Sequence, residues 1–130
     1  LFAMSITLGY LLAQPSWVYK SYPREAVEWV KEDRPEGRML SSYNWGGYLI
    51  WDLPGYPVFI DGRADLYGSE IISDWWLIVD SSDCAEQLID RWEIDLILLE
   101  KNWPLIPDLM ENDWAILFED DKSILIRRPT

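Results

Sequence analysis

The run Ile94-Asp95-Leu96-Ile97-Leu98-Leu99 constrains the fold of this chain more than any other stretch. It is too short for a core helix and rich in branched aliphatic residues, so it reads as a strand. A second apolar run, Val58-Phe59-Ile60, reads as a strand covered on both faces, as in parallel sheets. Segments of helical period lie between and around these runs. Residues 23–33 carry Ala26, Val27 and Val30 on one face, with Pro23 suited to the first helical position and Pro35 and Gly37 as stops. Residues 38–43 are a short strand candidate. Asn44 can cap a short helix through Trp45, Tyr48, Leu49 and Trp51, which the Pro54-Gly55 turn breaks.

Residues 68–79 read as a further helix. Asp83 with Glu86 forms the spacing of a capping box for another, with Cys84, Ala85, Leu88, Ile89 and Trp92 on its apolar face. A short turn or helix spans 104–110. Residues 114–118 and 123–126, joined by Glu119-Asp120-Asp121-Lys122, read as an antiparallel hairpin. The alternation predicts an α/β fold: a mostly parallel sheet covered by helices, ending in a C-terminal antiparallel hairpin.

At 130 residues the chain amounts to about one domain. Its 11 basic and 23 acidic residues give a net charge of −12, and the basic residues form no run, so nucleic acid is not an expected partner. The sequence has no His, which removes the commonest general base and the commonest transition-metal ligand. A single cysteine, Cys84, permits no internal disulfide; on an apolar helix face it reads as an inert thiol.

The opening residues, LFAMSITLGYLLA, carry no charge, and the first charged residue is Lys20. Thirteen residues fall short of the roughly 20 that span a bilayer core, and the basic flank of a signal peptide is missing. Residues 1–21 therefore read as the end of a transmembrane helix with its juxtamembrane segment, where Trp17, Tyr19 and Tyr22 have the spacing of an interfacial belt. The alternative is a buried N-terminal helix of a soluble domain. Residues 22–130 read as the soluble α/β domain.

Three groups of residues could carry chemistry. Asp61, Arg63 and Asp65, with Tyr67 just beyond, follow the 58–60 run, where open parallel sheets place their sites. Their carboxylates could hold a hard cation and the guanidinium could clamp an anion; the plainer reading is an ion-paired turn. Asn44, Trp45, Gly46 and Gly47 put adjacent glycines at a helix start, where backbone amides can meet an anion. No phosphate-loop lysine follows, so glycines that allow tight helix packing are the plainer reading. The third group is aromatic: Trp45, Trp51, Trp75, Trp76, Trp92, Trp103 and Trp114. Some can stack on sugar rings, although for the set as a whole core packing is the expectation.

The stretches YPREAVEWV, YNWGGYLIWDLP, PVFIDGRADLYG, WAILFEDD and the closing Arg127-Arg128 resemble the C-terminal soluble region of polytopic, GT-C-like glycosyltransferase-related bacterial membrane proteins. That resemblance implies a preceding multi-helix membrane region, a place at the cell membrane, and this domain on the extracytoplasmic side. It implies lipid-linked sugars or glycans as partners, with the catalytic acid in a membrane-portion loop that has no counterpart here. No catalytic residue, metal ligand or cofactor is therefore assigned to this chain. The expectation is a noncatalytic domain of a lipid-linked-sugar glycosyltransferase relative. The alternative is a glycan- or protein-binding module of a membrane protein without transferase activity. A metal enzyme built on Asp61 and Asp65 is a third, thinner reading.

Overall fold

The computed structural model describes residues 21–60 and 68–130. In chain order its elements are α1 (Arg24–Asp33), β1 (Arg38–Ser41), a 3-10 turn (Tyr43–Trp45), α2 (Gly46–Asp52), α3 (Gly68–Val79), α4 (Ala85–Arg91), β2 (Ile94–Glu100), α5 (Leu105–Glu111), β3 (Ala115–Glu119) and β4 (Ser123–Arg127). The helices cover both faces of one sheet, as strands apolar on both sides require. Leu96 and Leu98 of β2 pack with Ala26, Val27 and Val30 of α1 and with Leu49 of α2. Ile97 and Leu99, of opposite parity, pack with Trp75 and Ile78 of α3, Ile89 of α4 and Leu105 of α5. Each such aliphatic side chain contributes about 1.5–3 kcal/mol by leaving water.

The sheet order is β1-β2-β4-β3 and the sheet is mixed, not mostly parallel. β1 and β2 run parallel; β4 runs antiparallel to β2 and β3 antiparallel to β4. Two features produce the difference. The returning strand of the hairpin inserts beside β2, so its antiparallel sense reaches the middle of the sheet. And the 58–60 run adds no parallel strand: Phe59 and Ile60 are buried, yet the segment pairs with no strand among the described residues. Burial without a ladder satisfies three apolar side chains equally well.

Helix starts also differ from expectation. Pro23 precedes α1, its carbonyl accepting from Val27 N at 3.0 Å, rather than opening the helix. The side chain that caps the 3-10 turn belongs to Ser42, whose Oγ accepts from Asn44 N at 3.2 Å. Asp83 caps nothing: α4 begins after Cys84, without a side-chain cap. Ala85 N bonds instead to Ser82 O at 3.0 Å. Cys84 is thus half-buried at the helix start, its Sγ 3.3 Å from Ser82 Oγ, rather than sealed on the apolar face.

The hairpin turn is held by one carboxylate. Asp120 Oδ1 accepts from Lys122 N at 2.9 Å, Ser123 N at 2.8 Å and Ser123 Oγ at 3.0 Å. Burial pushes this carboxyl's pKa up, but the Ser123 and Lys122 hydrogen bonds outweigh it and hold the group below its ordinary value. A lowered carboxyl pKa stabilises the fold above its unfolded-state value and ceases to do so as pH falls through the folded one. Asp120→Ala is expected to cost about 1–3 kcal/mol at neutral pH. The gap from wild type should narrow as pH falls below about 4, which thermal melts across pH would register.

Candidate functional site

The parallel pair β1–β2 has one carboxyl pole, where sites in α/β sheets form. There the chain gathers a carboxylate, two serines and an aromatic group. Ser42, just past β1, donates its hydroxyl to Glu100 Oε1 at 2.7 Å. Trp103 Nε1, three residues beyond the end of β2, donates to Glu100 Oε2 at 2.8 Å. Both carboxylate oxygens are therefore engaged, which holds Glu100 and Trp103 in place. Trp75 is 1% exposed and donates its Nε1 to Ser41 O at 2.9 Å, tying α3 to the last residue of β1.

Around that anchor stand three edge-to-face indoles: Trp75 and Trp76 at 5.0 Å, Trp75 and Trp103 at 5.5 Å, Trp76 and Trp103 at 5.9 Å. Tyr43 adds a tilted contact to Trp75 at 6.1 Å. Trp76 is 48% exposed although two fixed rings abut it. Such a ring is pre-oriented for stacking and loses little side-chain freedom on contact. Ser41 Oγ, buried at the same pole, has no hydrogen-bond partner among the described residues.

The residues singled out from sequence divide. Asn44 and Gly47 are exposed beside this pole, while Trp45 and Gly46 are buried. Trp45 Nε1 donates to Ser21 O at 2.8 Å, so this indole ties down the start of the described chain. Tight packing does not explain Gly47, because a Cβ added there meets nothing within 4 Å. Gly47→Ala is expected to stabilise the domain by about 0.5–1 kcal/mol through helix propensity, measured as a raised melting temperature. Asp61, Arg63, Asp65 and Tyr67 lie outside the described residues, as do residues 1–20. Of the aromatic set, Trp45 and Trp75 are core, Trp92, Trp103 and Trp114 are half-buried, and Trp51 and Trp76 are exposed.

Sequence reasoning missed Ser42, Glu100 and their bond to Trp103. Glu100 closes an apolar strand with no motif around it; the Trp75-Trp76 pair was the one available signal. A separate groove of about 540 Å³ runs between α4 and α5, lined by acidic groups including Asp83, Glu86 and Asp108. Arg128 on its edge pairs with Asp90 at 2.9 Å. Among the described residues no group of three or more His, Cys, Asp or Glu side chains is placed to hold a metal ion.

The chain is thus an α/β domain with two helical layers over a mixed four-stranded sheet. In fold it is similar to the C-terminal globular domain of an oligosaccharyltransferase from Archaeoglobus fulgidus, known from a crystal structure. The two superpose with a TM-score of 0.59 at 10% sequence identity, over 82% of this chain and 95% of that one. No protein-family model matches the chain, and no curated protein matches it significantly.

Proposed function

We propose that this chain is the noncatalytic, extracytoplasmic C-terminal domain of a cell-membrane protein related to lipid-linked-sugar glycosyltransferases. In this reading residues 1–21 are the end of a transmembrane helix with its juxtamembrane segment, and 22–130 are the domain. The observation that carries it is the likeness in fold to an oligosaccharyltransferase's C-terminal domain along nearly that domain's full length. It stands independently of the motifs in YNWGGYLIWDLP and PVFIDGRADLYG, which point to the same broad class.

The chemistry at the carboxyl pole agrees with a contact role. Glu100 has both oxygens engaged, which holds Trp103 and Ser42 in place. Trp76 offers a fixed, half-open aromatic face of the kind on which sugar rings stack. Asn44, Trp45, Gly46 and Gly47, with Asp61, Arg63, Asp65 and Tyr67, would shape the surroundings of the lipid-linked sugar or glycan. The same aromatic face would suit a glycan- or protein-binding module with no transferase attached. Reading the gene upstream of Leu1 separates the two. Several apolar segments of about 20 residues each are expected there. Upstream sequence without such segments would overturn the transferase-related reading.

A further inference from the structure

The groove between α4 and α5 takes no part in the carboxyl-pole site, and one end of it is filled in a way that shows what the rest is suited to. Its volume of about 540 Å³ is that of a ligand-binding cleft. Ile89 of α4 and Leu109 of α5 are buried in its floor. Arg128, in the segment after β4, enters it near the start of β2, where its backbone N–H donates to Asp95 O at 2.9 Å. The Arg128 guanidinium pairs with Asp90 at 2.9 Å and lies 5.9 Å from the centre of the Trp114 ring. A planar cation between a carboxylate and an indole is a setting that arginine favours.

Elsewhere in the groove the carboxylates continue but the cations stop. Asp83 and Glu86 line it on the α4 side and Asp108 on the α5 side, and all three are exposed. Among the described residues none of them has a basic partner; Asp108 accepts a hydrogen bond from Ser81, which leaves its charge unmatched. Two residues beyond Trp114, Ile116 is 50% exposed, and its cross-strand neighbour Ile126 belongs to the core beneath α3, α4 and α5. Unmatched carboxylates beside an open aliphatic group complement a segment that is basic and partly apolar. Charge disfavours the other occupants. A second copy of this chain brings a net charge of −12 with no basic run, and an anionic ligand meets the same repulsion.

We propose that this groove docks a basic segment of a partner protein. Lys or Arg side chains of the segment pair with Asp83, Glu86 and Asp108 as Arg128 pairs with Asp90, and an apolar side chain rests on Ile116. Exposed ion pairs are individually weak, so such docking needs several at once and is sensitive to salt. The proposal is independent of the membrane reading, and its failure would leave that reading untouched.

The test uses the full 130-residue chain in low-salt buffer, with a short fluorescein-labelled peptide of alternating arginine and leucine as the probe. Fluorescence anisotropy is expected to show saturable binding that weakens as salt is added. Asp83→Asn/Glu86→Gln/Asp108→Asn is expected to weaken it by about tenfold or more. The control Glu32→Gln/Asp33→Asn/Glu36→Gln removes the same charge at the end of α1 and just after it, and is expected to weaken it by less than about threefold. In the ¹⁵N-labelled wild type, which needs no variant to fold, the Trp114 indole signal is expected to move with peptide while that of Trp51 stays. Equal weakening by both triple variants would show attraction to the net charge alone and overturn the site. A Trp114 signal fixed at saturating peptide, or no saturable binding at low salt, would overturn it as well. Spermine that displaces the peptide at equal charge concentration would assign the groove to small polycations and overturn the proposal too.

Discussion

Trp75→Ala is expected to destabilise the domain by about 3–5 kcal/mol, lowering its melting temperature by on the order of 10 °C or more. Three losses coincide at this residue. The indole is 1% exposed and fills the core layer between α3 and the sheet, so truncation leaves a cavity. Its Nε1 is the donor to Ser41 O, and removing it leaves a buried carbonyl with one partner fewer. Trp76 and Trp103 also lose the ring against which both are set. Trp75→Phe keeps most of the volume and forfeits the hydrogen bond, so it should fall between wild type and alanine. An alanine variant melting within a few degrees of wild type would show that the pole is not anchored through this indole.

Gly37→Ala is expected to cost several kcal/mol, a large effect for one added methyl group. Gly37 has a φ of +123°, where a side chain is strained by about 1–3 kcal/mol. A Cβ at this position would also lie 2.5 Å from Asp95 Cβ, inside van der Waals contact. Asp95 cannot simply swing aside, because its Oδ2 accepts Arg38 N at 3.2 Å and its carbonyl accepts Arg128 N at 2.9 Å. The strain therefore passes into the start of β1, where the pairing with β2 already shifts register between Arg38 and Met39. Thermal unfolding should record the loss, and amide exchange should locate it first in β1. Exchange unchanged in β1 would show that the loop before the strand absorbs the methyl group.

Periodicity carried the element types well where hydrogen bonding and burial agree. The 94–99 run is a strand because it is apolar on both faces and both faces are covered. The hairpin was legible from the polar Glu119-Asp120-Asp121-Lys122 turn, since Asp120 side chains bond backbone amides two and three residues on. Val58-Phe59-Ile60 has the same local composition as a buried strand, but composition reports burial, and only a partner edge decides pairing. Nothing in the order of segments says that β4 enters between β2 and β3, which is why a parallel sheet was expected and a mixed one is found. The Asp83–Glu86 spacing misled because Ser82 reaches back to Leu77 O at 2.6 Å, fixing the approach to α4 before Asp83 can cap it.

The candidate site was less legible than the fold. Asn44 lies exposed beside the sheet's carboxyl end, and the capping role expected of it falls to Ser42. Glu100 and Trp103 come together only because β2 ends where it does, a tertiary fact with no local signature. The adjacent glycines drew attention through flexibility, although Gly46 sits in ordinary right-handed helical backbone at φ −54° and ψ −46°.

The most direct measurement follows the indole N–H signals of the ¹⁵N-labelled chain while a short-chain polyprenyl-phosphate-linked sugar is titrated in, with product assayed in the same sample. The expected result is that the Trp76 and Trp103 signals move together with ligand concentration, those of Trp92 and Trp114 stay in place, and no sugar is transferred to an acceptor. Turnover by this chain alone would contradict the noncatalytic assignment. Indole signals that stay fixed for Trp76 and Trp103 at saturating ligand would contradict the carboxyl pole as the place where the lipid-linked sugar is met.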